Sequence, residues 1–146
     1  QGGHQIAREI VETLTPASIF VPTNNGTLLA GIMEGLAAVH AKVTVIAVTA
    51  RTSRLAYSIV PFSRCDWAHV QSLCRVPLTD VDDSQIVDAM RLLARMGFFV
   101  EPASAAALAA WLSTSDNPGP SVVLLTGCSL RMPGVLVQTL GRKATE

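Results

Sequence analysis

Hydrophobic residues change their spacing several times along this chain, and each change predicts an element. Ile6, Ala7, Ile10, Val11 and Leu14 share one face of an opening helix that ends before Pro16. Ile19-Phe20-Val21 then reads as a short buried strand. Leu28, Leu29, Ile32, Met33 and Leu36 return to helical spacing, in a helix that runs to about His40. Val43-Thr44-Val45-Ile46-Ala47-Val48 is apolar, β-branched and uninterrupted, the pattern of a strand covered on both faces. Helix, strand, helix, strand is the order of a parallel α/β layer with right-handed crossovers.

The middle of the chain is less regular. Thr52-Ser53 is placed to cap a short helix through Leu55, Ala56 and Ile59 that stops at Pro61. Trp67, Val70 and Leu73 suggest another, capped by Asp66, with His69 as a surface or packing histidine. Val76-Pro77-Leu78 reads as a short strand, which Pro77 confines to a sheet edge. Asp82-Asp83-Ser84-Gln85 is a capping box opening a helix with Ile86, Val87, Met90, Leu93 and Ala94 inward and Gly97 as its stop. Phe98-Phe99-Val100 reads as a compact strand. Glu101-Pro102 opens an alanine-rich helix to about Leu112. After the polar loop 113–120, Val122-Val123-Leu124-Leu125 is the last strand, and Pro133 starts a final helix through Val135, Leu136 and Leu140, ending near Gly141.

Composition narrows the possibilities. The 146 residues are 49% hydrophobic and 15% charged, enough apolar mass for one ordinary domain and too little charge for disorder. The formal net charge is zero, so no basic stripe recommends a nucleic-acid partner. No apolar run reaches the roughly 18 residues needed to span a bilayer, which argues against a membrane protein. Cys65, Cys74 and Cys128 lack paired spacing and fit free thiols in a cytoplasmic protein better than a disulfide framework or zinc site.

Candidate chemistry follows from where the polar clusters fall. In open parallel sheets, ligands bind outside the carboxyl ends of the strands. Three clusters lie at such ends: Thr23–Thr27, Glu101 with Ser104, and Thr126–Ser129. Thr23-Asn24-Asn25-Gly26-Thr27 stands where a strand hands over to a helix, where unpaired N–H groups and the positive end of the macrodipole suit a phosphate or carboxylate. A plain helix cap explains the same residues, and Glu101 alone is accounted for as a first-turn acid. Cys128 has no His or basic neighbour in sequence to activate it as a nucleophile.

These pieces resemble a known family. Val21-Pro22-Thr23-Asn24-Asn25-Gly26-Thr27-Leu28-Leu29-Ala30-Gly31-Ile32 is similar to the phosphate-binding loop and following helix of threonine synthase and its relatives, pyridoxal-phosphate enzymes of the tryptophan-synthase-β fold, or fold type II. The helix from Asp82 and the run Phe99-Val100-Glu101-Pro102-Ala103-Ser104-Ala105 resemble that family's long helix and Glu-Pro-Ala-Ser-Ala motif. Leu124-Leu125-Thr126-Gly127 resembles its terminal strand and Thr-Gly turn, and Gly3–Ile10 the helix entering this half of the domain.

The resemblance implies an α/β fold, a mostly parallel sheet with helices on both faces, and pyridoxal 5'-phosphate as the cofactor of the complete enzyme. It implies that Thr23, Asn24, Asn25, Gly26 and Thr27 hold the cofactor phosphate and that Thr126 faces the pyridine nitrogen. Glu101 and Ser104 would lie beside the ring or support the pocket wall. Asn24 stands where relatives usually carry glycine. The family's cofactor-binding lysine belongs to the preceding half of the fold, and neither Lys42 nor Lys143 matches its motif. The chain is therefore expected to be a single α/β domain over 1–146, an incomplete portion of a larger catalytic unit and inactive alone. The complete enzyme would be a lyase catalysing β/γ-replacement or elimination on an amino-acid substrate. Homo-oligomerisation, or association through the surface meant for the other half, is expected. The alternative is a non-catalytic half-domain that binds a phosphate-bearing ligand or a partner protein. A flavodoxin-like or Rossmann-like nucleotide domain is a weaker option, since no GxGxxG follows the first strand.

Overall fold

The computed structural model describes residues 2–59, 76–115, 119–129 and positions 133, 134 and 137. Its elements are α1 (Gly2–Thr13), β1 (Ser18–Pro22), α2 (Thr27–Ala38), β2 (Thr44–Thr49), a 3-10 turn (Tyr57–Ile59), β3 (Leu78–Asp80), α3 (Asp83–Arg95), α4 (Pro102–Ser113) and β4 (Ser121–Val123). The four strands form one parallel sheet in the order β3-β2-β1-β4. β1 is central and buried along its whole length, pairing Phe20 with Ile46 on one side and Val123 on the other.

Period-two alternation divides the core between the two sheet faces. Phe20 and Val48 point to a cluster built with Ile86, Met90 and Leu93 of α3 and the alanines of α4. Ile19, Val21, Val45 and Ala47 point to the opposite cluster, with Ala7 of α1 and Leu29, Ile32 and Leu36 of α2. The sheet therefore has a helical layer on each face, as doubly covered parallel sheets require.

Each layer achieves its packing through small residues. Alanines 103, 105, 106, 107, 109 and 110 of α4 are all buried, so this helix is apolar around most of its circumference. Gly31 and Gly35 of α2 let α1 approach closely. A Cβ on Gly31 would stand 3.0 Å from the Gly3 Cα, and one on Gly35 2.7 Å from the Ala7 Cβ.

Helix boundaries follow local chemistry. Asp82 caps α3 by accepting from the Gln85 amide at 2.9 Å, while the Gln85 side chain accepts from the Asp82 amide at 2.9 Å, completing the expected capping box. Gly97, at φ +87°, ends α3 as a left-handed stop, and the Phe98 amide donates back to the Leu93 carbonyl. β3 is an edge strand, and the Pro77 carbonyl accepts from the Ala47 amide. Val87 and Ala94 of α3 are half-buried; Ala89 takes the inward position instead.

Two expectations are corrected. Phe98-Phe99-Val100 is not a strand of the sheet. Phe98 and Phe99 are 52% and 48% exposed, and Val100 makes a single antiparallel bridge to Cys128. An apolar run of three specifies a strand only if a neighbour is in place to pair with it, and here the neighbour is the 126–129 turn rather than the sheet. The short helix expected from Thr52 is reduced to the turn Tyr57–Ile59, with the Ser53 hydroxyl accepting from the Leu55 and Ala56 amides ahead of it. The helix expected near Trp67, with His69, and most of the one expected from Pro133 lie outside the described residues, as do Cys65 and Cys74.

Candidate functional site at the carboxyl ends of the strands

Thr23 begins the turn after β1 and is fixed from two sides. Its amide donates to the Val48 carbonyl at 2.8 Å, and its buried hydroxyl donates to the Val21 carbonyl at 2.8 Å. The Asn25 side chain accepts from the Thr27 amide at 3.1 Å, a local Asx turn. Gly26 precedes α2 at φ +83°, a left-handed conformation that glycine adopts without strain, and it supplies no side-chain cap. The first helical bond is from the Ala30 amide to the Gly26 carbonyl. The amides of Leu28 and Leu29 are thus left facing outward at the positive end of the α2 dipole.

A second wall comes from the segment 100–104 and the turn after β4. The Glu101 amide donates to the Gly127 carbonyl at 3.2 Å, and the Ser129 amide donates to the Phe99 carbonyl at 3.0 Å. These bonds bring the start of α4 against Thr126-Gly127 although the 98–100 segment stands outside the sheet. Ser104, with no exposed surface, accepts from the Gly127 amide at 2.6 Å and the Thr126 amide at 3.1 Å. Its oxygen lies 3.3 Å from that of Thr126. With both acceptor positions of Ser104 taken by amides, its own proton goes to Thr126 Oγ1, leaving the Thr126 proton for another acceptor.

The two walls close on one cavity of about 210 Å³, lined by Pro22, Thr23, Asn24, Asn25, Gly26, Leu28, Leu29, Ser58, Ile59, Glu101, Ala103 and Thr126. The structure therefore unites the first and third clusters, with Glu101 between them. Thr27 and Ser104 do not line it: Thr27 is exposed, and Ser104 stands behind Thr126. Ser58 and Ile59 were missed by sequence reading, because the only local signal was the Ser53 cap. Ser53 and Arg54 are anchored to the Asp83 carboxylate, and Arg51 to that of Asp80, which holds this segment over the cavity.

The cavity has a marked polarity. Among the described residues Glu101 is the one ionisable side chain that lines it, and no lysine, arginine or histidine is among them there. Asn24 Oδ1 is buried with no hydrogen-bond partner, an acceptor or, with the amide turned over, a donor held for something else. Lys42 is exposed just before β2, at the opposite end of the sheet. Cys128 is an exposed free thiol beyond the cavity rim. Among the described residues no group of side chains is arranged to hold a metal, and no helix is long and apolar enough to cross a membrane.

Residues 1–127 match the family model described as "Pyridoxal-phosphate dependent enzyme". The chain belongs to this family. The match covers β1, the Gly26 turn and the Thr126-Gly127 turn alike. Among solved structures the chain is similar to maize serine racemase, at 22% identity and TM-score 0.75, over 96% of this chain and 52% of that one. It is similar to threonine synthase from Escherichia coli, at 19% identity and TM-score 0.78, over 99% of this chain and 41% of that one. It is also similar to a threonine deaminase from T.th., at 22% identity and TM-score 0.73, over 87% of this chain and 55% of that one. The chain thus spans about half the length of the structures it matches. A comparison with curated proteins gives no sequence match.

The fold is that of a fold type II pyridoxal-phosphate enzyme, and pyridoxal phosphate is the cofactor of the complete enzyme. The residues present fit that group. Unpaired amides stand at a helix N-terminus, the buried Asn24 Oδ1 lacks a partner, and the Thr126 hydroxyl has a proton to give.

Proposed function

We propose that this chain is the C-terminal, cofactor-holding portion of a threonine synthase-like lyase that carries out β/γ-replacement or elimination on an amino acid. The observation that carries this reading is the convergence of the Gly26 turn and Thr126 on one cavity. Pyridoxal phosphate, when bound, supplies an electron sink for charge developing at the substrate α-carbon. The amides from Gly26 to Leu29 would hold its phosphate, with Asn24 and Asn25 alongside and Thr23 shaping the turn. Thr27 would act through that turn rather than by direct contact. The Thr126 hydroxyl would donate to the pyridine nitrogen and so keep it neutral, since Ser104 directs the proton outward. Ser104 is a positioning residue in this scheme.

Titrating the 146-residue chain with pyridoxal phosphate by calorimetry tests the reading. Saturable binding that Gly26→Val weakens supports it; absence of binding both here and in a longer polypeptide carrying the preceding half of the fold would sink it. A second reading, a non-catalytic half-domain binding a phosphate-bearing ligand, draws support from the position of Lys42 away from the cavity. It predicts that adding the lysine-bearing half changes neither the affinity nor the spectrum of the ligand.

A further inference from the structure

Asp82 and Asp83 stand side by side at the start of α3 and hold different things. Asp82 holds the helix itself, accepting from the Ser84 hydroxyl at 2.7 Å and the Gln85 amide at 2.9 Å. Asp83 turns instead to the segment 51–59. Its carboxylate accepts from the Ser53 hydroxyl, from the Arg54 amide at 3.1 Å and from the Leu55 amide at 3.4 Å. Asp80, at the end of β3, adds a second hold. It accepts from the Arg51 amide at 2.9 Å, the Arg51 guanidinium at 3.0 Å and the Thr49 hydroxyl at 3.1 Å. The Ser53 oxygen accepts in turn from the Leu55 amide at 3.1 Å and the Ala56 amide at 2.7 Å.

The amides of Arg51, Arg54, Leu55 and Ala56 thus all end on side-chain oxygens, so two carboxylates and one hydroxyl direct the path of this segment. That path delivers part of the cavity. Ala56 and Ile59 are buried in the cluster of Phe20, Val48 and Met90, and Ser58 and Ile59 line the cavity shared by the Gly26 turn and Thr126. Apolar burial draws Ile59 inward but is non-directional, so it does not fix where the wall stands. The directional bonds to Asp80 and Asp83 do, and they refer the wall to the ends of β2 and β3 and to the start of α3.

We propose that Asp83 is a positioning residue for the cofactor: acting through Ser53, Arg54 and Leu55, it latches the 51–59 segment as a wall that slows the escape of the bound group. The assignment rests on the cofactor reading of this cavity. Asp80 is the second point of the latch, and Asp82, although adjacent to Asp83, stands outside it. Ser53 and Leu55 are half-buried and Arg54 is exposed, so water can take up the donors that a missing Asp83 carboxylate would release. The consequence therefore falls on the residence time of the cofactor more than on folding.

Two measurements on Asp83→Ala and Asp82→Ala test this: the release rate of pyridoxal phosphate by stopped-flow absorbance, and backbone hydrogen exchange of the ligand-free chain. Asp83→Ala is expected to release pyridoxal phosphate on the order of tenfold faster than wild type, the worth of one charge-assisted hydrogen bond, and to lose protection across 51–59. Asp82→Ala is expected to lower stability yet release pyridoxal phosphate at the wild-type rate. Asp83→Asn keeps one acceptor oxygen and should fall between wild type and Asp83→Ala. Equal release from wild type and Asp83→Ala, equal acceleration by both alanine variants, or unchanged exchange at 51–59 in Asp83→Ala would overturn the latch while leaving the cofactor reading intact. The comparison is made in the 146-residue chain or, where only the longer polypeptide with the preceding half of the fold holds pyridoxal phosphate, in that. Binding by neither sinks the cofactor reading, and this assignment with it.

Discussion

Ser104 and Thr126 are joined twice: the Ser104 hydroxyl accepts from the Thr126 amide at 3.1 Å and lies 3.3 Å from the Thr126 hydroxyl. One buried serine on α4 thus sets both the backbone and the proton direction of the turn after β4. Ser104→Ala leaves the Thr126 and Gly127 amides without their acceptor, at a cost of about 1–3 kcal/mol. Chemical denaturation should show that loss. Thr126→Val removes only the acceptor of the Ser104 proton, so it should cost less stability than Ser104→Ala while weakening cofactor binding and altering the absorbance of the bound ring. Equal effects of the two variants on stability and binding would argue against separate roles.

The α1–α2 contact depends on absent side chains. A Cβ on Gly35 would stand 2.7 Å from that of Ala7 and 2.9 Å from the His4 Cα. Gly35→Val should force the helices apart and cost about 1–3 kcal/mol, the usual range for overpacking. Urea unfolding of the variant beside wild type measures it, and an unchanged midpoint would mean that α1 is not held there.

Acidification should loosen α3 at its start. The Asp82 carboxyl is held below the usual carboxylate range, first by the Gln85 amide and then by the Ser84 hydroxyl. A depressed folded-state pKa gives stability that is present above the unfolded value near 3.9 and lost as pH falls through the lower folded value. Asp82→Ala should therefore lower the melting temperature by roughly a few degrees at neutral pH, and the gap to wild type should close below about pH 4. A gap that persists at pH 2 would remove the cap from the explanation.

Phe98 and Phe99, about half exposed, line a groove of about 820 Å³ with Val100, Leu125 and Cys128. Contiguous apolar surface of this kind favours association. The isolated chain is expected to self-associate as its concentration rises, and Phe98→Ser with Phe99→Ser to reduce this without lowering pyridoxal phosphate affinity. Light scattering across a concentration series decides; a wild-type chain that stays monomeric throughout contradicts the expectation.

Periodicity in the sequence determined most of the elements. The apolar stripes of α1, α2 and α3, the uninterrupted β2 run and the Asp82–Gln85 capping box are local patterns, and local patterns survive folding when tertiary contacts agree with them. The turn from Thr23 to Thr27 was legible as a strand-to-helix handover for the same reason. Its role was not, because an unpaired helix N-terminus looks alike in sequence whether a ligand or water meets it. Only the tertiary structure set Thr126 across from Gly26, placed Ser58 and Ile59 on the cavity wall and moved Ser104 behind it. It also took Phe98–Val100 out of the sheet, since strand pairing is decided by neighbours far along the chain and a run of three residues carries no record of them.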